Sequence, residues 1–138
     1  MTAGKAQIGM EYMIMFSLSL VIAGLIWIYA SSDINSARWD LQTAYAEDAV
    51  KRITDVADIV YVQGEPAQFY INPTFPDNIK NTYILGNTVV LELLWKEDTL
   101  VNISEMASVN LTGYLDPEPG IHRILVKANN SNVEIIDQ

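Results

Sequence analysis

Side chains that could carry out acid–base, nucleophilic or metal chemistry are scarce in this sequence. His122 is the only histidine, and there is no cysteine. Thiolate-built zinc or iron–sulfur sites, disulfides and a thiol nucleophile are therefore excluded. No serine or acid is placed in the sequence so as to orient His122, and a histidine on a strand most often packs or lies at the surface. We therefore expect no enzyme, no catalytic residue, no cofactor and no bound metal.

Motifs and net charge exclude further classes of protein. The sequence has no glycine-rich phosphate loop and no HExxH or EF-hand pattern. The acidic stretch 116–120 is typical of a turn, because a calcium loop needs more oxygen ligands. The 17 acidic residues outnumber 8 basic ones and give a net charge of -9. Phosphate binding requires a basic surface, so no nucleic-acid partner is expected.

Three Asn-x-Ser/Thr sequons are candidates for N-glycosylation, at Asn102, Asn110 and Asn129. Successive side chains of a strand face opposite sides, so Asn102 and Asn110 should face solvent while their apolar neighbours face inward. Asn129 lies in a predicted turn. The alternative is that all three are ordinary polar residues of strands and turns.

The elements that position these residues begin with an apolar N-terminal segment. Residues 13–32 contain no charged residue and no proline. A helix of this length, at about 1.5 Å per residue, spans roughly 30 Å, which is the thickness of the bilayer core. The sequence therefore predicts a transmembrane helix at about 13–32, with Lys5 on the cytoplasmic side and Asp33 beyond the membrane.

Two other roles are open to this apolar segment. A buried core helix would need a second core around it, for which the chain is short. A secretory signal peptide would be cut after a small-x-small motif, which residues 30–32 match loosely. However, the segment is long for such a signal, continues into a further helix, and is preceded by the acid Glu11. A span that stays in the protein is therefore favoured.

Glu11 is the most informative residue at the membrane edge, because a carboxylate there costs free energy unless it is paired or stays near water. The residues at 4–12 are Gly-Lys-Ala-Gln-Ile-Gly-Met-Glu-Tyr. This segment resembles the class III signal of archaeal type IV pilins, in which a short charged leader precedes a Gln-x-(Ser or Gly)-x-Glu-Tyr motif and an apolar helix. Gly9 stands where the family usually has Ser. The related archaellins usually carry a glycine-rich stretch without the Glu-Tyr pair and match less well.

The resemblance implies that a prepilin (class III signal) peptidase removes a leader of residues 1–6. The residues at this cleavage site are Lys5, Ala6 and Gln7. It implies that Glu11, with Tyr12 beside it, meets the terminal amine of Gln7 in a neighbouring subunit and sets the register of assembly. The implied partners are further copies of the chain in a helical homopolymer, an assembly ATPase, a membrane platform protein, and the membrane around the precursor. The alternative is an unpaired Glu11 at the headgroup level.

Beyond the apolar segment, the pattern predicts that the helix continues and becomes amphipathic. Residues 33–62 lack proline and glycine, and charged and apolar residues recur on opposite faces. The charged seam is Asp33, Asp40, Glu47, Lys51 and Asp58. The apolar stripe is Ile34, Ala37, Leu41, Ala44, Tyr45, Ala49, Ile53, Val56, Ala57 and Val60. Gly64 and Pro66 should end this helix, which we place at 7–62.

After residue 62 the apolar pattern changes to a period of two, which predicts strands. Seven short strands are expected, at 67–72, 79–85, 88–95, 100–104, 108–112, 121–128 and 132–137. The face of the third that should be buried carries Val89, Leu91, Leu93 and Trp95. The predicted fold class is α+β, a long N-terminal α-helix with a C-terminal antiparallel β-sheet or small β-sandwich (63–138) packed on it.

Together these features predict a structural subunit (pilin) of an archaeal type IV-like pilus. The precursor would lie in the cytoplasmic membrane, and the trimmed chain would form an extracellular filament at the cell surface, where the resemblance implies adhesion. The alternative is a single-pass surface protein that stays anchored in the membrane and does not polymerise. An enzyme ranks third.

Overall fold

The computed structural model describes the backbone of residues 3–95 and 99–138 and the side chains of residues 9–31, 34, 36–95 and 99–138. Its fold class is the predicted α+β, because one long N-terminal helix is followed by a mostly antiparallel β-region that packs against it. The chain divides into two compact units, residues 1–39 and 40–138. Residues 96–98, between the strands predicted at 88–95 and 100–104, lie outside the described residues.

Helix α1 spans Ala3–Gln63, so it begins earlier than predicted. In the first unit every described residue belongs to this helix. Three serines of its apolar segment bond to the helix itself, since the hydroxyls of Ser17, Ser19 and Ser31 donate to carbonyl oxygens three or four residues earlier at 2.8–2.9 Å. Their hydroxyls are thereby satisfied without water, as an apolar environment requires.

The helix ends where the sequence predicts. Gly64 has a φ of 71°, a left-handed conformation that glycine adopts without strain. Its N–H lies 3.1 Å from the carbonyl oxygens of both Val60 and Tyr61. The chain then turns at Pro66, which cannot continue a helix.

The second unit contains residues 40–63 of α1 and all the strands. The strands are β1 (Gln68–Ile71), β2 (Thr74–Phe75), β3 (Ile79–Leu85), β4 (Thr88–Leu94), β5 (Leu100–Met106), β6 (Leu111–Tyr114), β7 (Gly120–Ile121), β8 (Ile124–Ala128) and β9 (Val133–Asp137). One sheet has the order β1-β8-β9-β6, a second has β3-β4-β5, and β2 pairs with β7. The pairs are antiparallel except for β6 and β9, which run parallel.

One face of α1 is buried in the second unit. The buried residues of this face are Ala46, Ala49, Val50, Ile53, Thr54, Ala57 and Val60. They recur at intervals of three and four, as one side of a helix requires. The prediction that the buried stripe starts at Ile34 was wrong, because Ile34, Leu41 and Tyr45 are about half-exposed. Burial begins only at Ala46.

The sheets contribute alternate residues to the same core. On β4, Val89, Leu91 and Leu93 are fully buried, as predicted. On the four-stranded sheet, Val126 and Ile135 pair across β8 and β9 and are also fully buried. Each such side chain contributes roughly 1.5–3 kcal/mol to folding. This core fixes which sheet faces remain exposed.

Several predicted strands differ in their bounds. The predicted strand at 108–112 begins only at Leu111, because Ser108 bonds instead to a carboxylate of α1. The predicted strand at 121–128 is interrupted at His122, whose N–H donates to the carbonyl of Pro73. Trp95 lies past the end of β4 and is half-buried. Neither the short β2 nor the parallel pairing of β6 with β9 was predicted.

Candidate functional site

The N-terminal part of α1 exposes a continuous apolar surface. From Met10 to Tyr29, fifteen large apolar side chains are 50–77% exposed. By length and composition this part of the helix could cross a membrane, with a mean hydropathy of 2.2 in its most apolar window. Trp27 and Tyr29, which suit a membrane interface, are among its most exposed residues. Exposed apolar surfaces larger than those of ordinary monomeric proteins mark sites of membrane or protein contact.

The residues of the predicted cleavage and assembly motif lie near the start of α1. Glu11 and Tyr12 are exposed on the helix, next to the apolar surface. The side chains of Lys5, Ala6 and Gln7 lie outside those that the structure describes. The role of these residues in cleavage and assembly stays a prediction, because it involves a second molecule.

The charged seam of α1 separates into two parts. Asp40, Glu47 and Lys51 are exposed, as predicted for a solvated face, and the side chain of Asp33 is not among those described. Asp58 instead accepts two hydrogen bonds from Ser108, at 2.8 Å from its backbone N–H and 3.0 Å from its hydroxyl. Asp58 therefore fixes the segment that leads to the sequon at Asn110.

The three sequon asparagines are exposed. Asn102 lies on β5 between half-buried neighbours, beside an open groove of about 400 Å³ between β5 and α1. Asn110 lies between the buried Val109 and Leu111, so it faces outward as predicted although it precedes β6. Asn129 lies in the β8–β9 hairpin, where its N–H donates to the carbonyl of Asn132 at 2.9 Å.

Two of these sequons lie close together. Asn132 of the hairpin donates its side-chain N–H to the hydroxyl of Thr112, the third residue of the Asn110 sequon, at 3.1 Å. The N–H of Val133 donates to the carbonyl oxygen of Asn110 at 3.0 Å. Sugars at Asn110 and Asn129 would therefore share one end of the four-stranded sheet, whereas Asn102 belongs to the other sheet.

His122 has an acidic partner that the sequence analysis missed. Its Nδ1 lies 2.7 Å from Oδ2 of Asp137, and the two side chains are only 10% and 6% exposed. Its Nε2 lies 2.7 Å from the carbonyl oxygen of Glu118, and its ring stacks on Phe75 at 4.2 Å. The two residues are 15 positions apart and meet because β8 and β9 pair, so no local sequence signal joins them.

The geometry of His122 indicates a structural role. A carbonyl oxygen only accepts a hydrogen bond, so Nε2 donates to Glu118, while Nδ1 is in contact with the carboxylate of Asp137. Both ring nitrogens therefore have partners within the β-region. The same Asp137 oxygen accepts the N–H of Asp116 at 3.0 Å. The cluster thus ties the β6–β7 loop to the C-terminal strand.

An open pocket of about 350 Å³ adjoins this cluster. Its wall includes Tyr114, Asp116, Glu118 and Ile121. Among the side chains that the structure describes, no group of three His, Asp or Glu residues is placed to hold a metal ion. The pocket is therefore polar and open, with carboxylates as its main charged groups.

Comparisons with protein-family models, with curated proteins and with solved structures gave no match. Neither the fold nor a relative therefore assigns an activity to this chain. The features of this chain that bear on its function are the exposed apolar helix and the folded β-region that follows it.

Proposed function

We propose that this chain is the structural subunit of an archaeal type IV-like pilus, assembled through its apolar N-terminal helix after removal of a leader. Two features support the proposal. The segment around Glu11 resembles the signal motif of that family, and a folded α+β region follows directly on the exposed apolar helix. A subunit of this design has one part that polymerises and one part that covers the filament.

The observation that carries the proposal is the exposure of the apolar helix. Burying a side chain such as Leu, Ile, Phe or Met contributes roughly 1.5–3 kcal/mol. For fifteen large apolar side chains that are already partly covered, burial of the remainder is worth on the order of 20 kcal/mol. Lipid covers the apolar helix of the precursor, and neighbouring copies of the same helix cover it in a filament. Transfer from the membrane to the filament therefore never exposes the helix to water.

Glu11 gives this apolar assembly a defined register. An uncompensated carboxylate in a dry helix bundle is strongly destabilising, so subunits should stack where Glu11 meets a positive group. Cleavage between Ala6 and Gln7 creates such a group, the free amine of Gln7. Pairing of Glu11 with the amine of the next subunit would favour one axial offset over its neighbours.

The proposal assigns partners and a location. The precursor lies in the cytoplasmic membrane, where a prepilin peptidase trims it. An assembly ATPase and a membrane platform protein then move it into the filament outside the cell, where it serves in adhesion. The chain is proposed to have no catalytic activity and no nucleic-acid partner.

Exposure of Asn102, Asn110 and Asn129 supports the proposal that this surface protein is N-glycosylated. Intact mass measurement of the native protein should show sugar on at least one of the three. Replacing each asparagine by Gln should remove the corresponding mass. A native mass equal to that of the bare polypeptide would contradict glycosylation without touching the proposal of polymerisation.

The variant Glu11→Ala tests whether Glu11 directs assembly, and Asp40→Ala is the matched control. Asp40 is also an exposed acid of α1, but it lies outside the apolar segment. We expect Glu11→Ala to be trimmed normally but to build no filaments, and Asp40→Ala to be trimmed and to assemble. Normal filaments from Glu11→Ala would contradict the role of Glu11 in assembly.

The same exposed helix also favours a second function, that of a single-pass anchor for a surface protein that never polymerises. Such an anchor would keep an uncut N-terminus and stay in the membrane fraction. Shearing of the cells separates the two functions, because shearing releases filaments and leaves an anchored monomer behind.

A further inference from the structure

The exposed face of the four-stranded sheet carries one apolar row that crosses every strand. Tyr70 of β1 lies opposite Leu125 of β8, Leu125 opposite Ile136 of β9, and Ile136 opposite Tyr114 of β6. Residues in register on neighbouring strands point to the same side of a sheet. The next row, which includes Val126 and Ile135, points into the core. The four residues therefore form one line on the outer face, called here the tyrosine row.

The tyrosine row is open to solvent, most of all at its two ends. Tyr114 is 65% exposed and Tyr70 is 51% exposed. Strands lie about 4.8 Å apart, so the two rings are separated by roughly 14 Å across the sheet. The guanidinium of Arg123 lies 4.7 Å from the centroid of the Tyr70 ring and holds it in place. The row is thus a narrow, flat strip with an aromatic ring at each end.

Polar residues line both sides of the strip. On one side the registered row is Gln68, Lys127, Glu134 and Thr112. On the other side lie Arg123 and Gln138, which are linked by a hydrogen bond between their backbones. Hydrogen-bond donors and acceptors therefore flank the apolar strip on both sides.

The strip ends at the open pocket of about 350 Å³ that Tyr114 shares with Asp116 and Glu118. The wall of this pocket is fixed in advance. Nε2 of His122 contacts the carbonyl oxygen of Glu118. One carboxylate oxygen of Asp137 contacts Nδ1 of His122 and accepts a hydrogen bond from the N–H of Asp116. A preformed wall lowers the entropy cost of binding.

We propose that the tyrosine row and the adjoining pocket bind a chain of neutral sugars. A pyranose ring has an apolar C–H face that stacks on a tyrosine ring, and hydroxyl groups at its rim that need hydrogen-bond partners on both sides. The strip offers this combination. At the pocket end of the strip, the carboxylates of Asp116 and Glu118 accept bonds from sugar hydroxyls and repel an anionic ligand such as an acidic polysaccharide.

The area of the strip favours a slender ligand over a protein. A tyrosine side chain offers roughly 150–250 Å², so two half-exposed rings and two smaller, less exposed residues present roughly 300–400 Å² in all. A stable protein interface buries about 800 Å² on each partner. A second copy of this chain would therefore need most of its contacts elsewhere.

The test uses the full chain in a zwitterionic detergent without a sugar headgroup, since a glycosidic detergent would compete. Probes are neutral hexasaccharides of glucose, of N-acetylglucosamine and of mannose, with an acidic hexamer of galacturonic acid for comparison. We expect at least one neutral hexamer to bind by calorimetry and the acidic one to bind more weakly. Tyr114→Ala and Tyr70→Ala should each weaken binding at least tenfold, and Tyr114→Phe should keep it within a few-fold.

Tyr45→Ala is the matched control, because Tyr45 is 46% exposed on α1 and far from the strip in sequence. It should leave binding unchanged. The proposal is overturned if no neutral hexamer binds at millimolar concentration, if the acidic hexamer binds best, or if Tyr114→Ala and Tyr70→Ala leave binding intact. It is also overturned if these variants change only the self-association measured by sedimentation, since the strip would then contact a second copy. None of these outcomes depends on leader cleavage, so the proposed pilin function is tested separately.

Discussion

Gly113 is the position at which a single added methyl group should damage the β-region most. It lies on β6, with a φ of 131°, and a Cβ there would overlap the carbonyl oxygen of Ile135 on β9. β6 is an edge strand of its sheet and pairs there with β9 alone. Gly113→Ala must therefore either strain the backbone and push β6 away from β9, or unfold that edge.

The cost can be estimated in two parts. Holding a non-glycine residue at such a φ costs about 1–3 kcal/mol. Moving β6 off β9 forfeits ladder hydrogen bonds at about 0.5–1.5 kcal/mol each. With two or three bonds lost, the total comes to about 2–7.5 kcal/mol, a large share of the roughly 5–15 kcal/mol that stabilises a typical domain.

Gly120→Ala is the matched control. Gly120 has a nearly equal φ of 125°, but a Cβ there meets no atom within 4 Å. It should cost only the backbone strain of about 1–3 kcal/mol. Urea unfolding of the full chain in micelles, followed by hydrogen exchange of the β6 and β9 amides, measures both variants. If Gly113→Ala and Gly120→Ala lowered the free energy of unfolding equally, the close approach of β6 and β9 would not be the cause. Unchanged hydrogen exchange at β6 and β9 in Gly113→Ala would contradict it as well.

Three further perturbations test the packing and electrostatics of the second unit. Ile53→Ala, at a fully buried site of α1, should lower the free energy of unfolding, measured by urea titration, by about 2–5 kcal/mol. Its control Ile59→Ala, at a half-exposed site, should lower it by less than about 1 kcal/mol. Asp58→Ala removes two hydrogen bonds to the segment before β6 and should speed hydrogen exchange there, while Asp55→Ala, at an exposed acid of the same helix, should not. The pKa of Tyr83 is raised above its usual value near 10, chiefly because its hydroxyl donates a hydrogen bond to a carboxylate on β4. Because the protonated form is the stabilised one, this hydrogen bond contributes fully to folding stability below pH 10, and its contribution is lost as the pH rises through the higher pKa of the folded state. In a pH titration, tyrosinate absorbance should show a step at high pH that Tyr83→Phe removes.

Much of the fold could be predicted from local sequence. The amphipathic helix, its stop at Gly64 and the strands β3, β4 and β9 follow from apolar periodicity and turn residues. Each of these signals acts over a few neighbouring residues, where local preferences and burial agree.

What could not be predicted depends on contacts between distant residues. The strand expected at 108–112 has the alternation of a strand, but Asp58, fifty residues away, takes the N–H of Ser108. The parallel pairing of β6 with β9 and the meeting of His122 with Asp137 likewise arise only once the strands are placed. The tyrosine row has the same origin, because its members come from four strands and their alignment is a matter of register.

The candidate assembly site was located from a short sequence motif and not from the fold. Its residues are Lys5, Ala6, Gln7, Glu11 and Tyr12. Their roles stay predictions, because each role involves a second molecule. The structure adds that the apolar helix next to them is exposed. Because this helix is exposed, the proposed function requires that lipid around the helix is replaced by other copies of the same helix.

The most direct test of this account is the N-terminal mass of the protein in material sheared from cells. The account predicts that filaments are released and that their subunit begins at Gln7, without residues 1–6. A chain that keeps its N-terminus intact, remains with the membranes after shearing and forms no filament would contradict it.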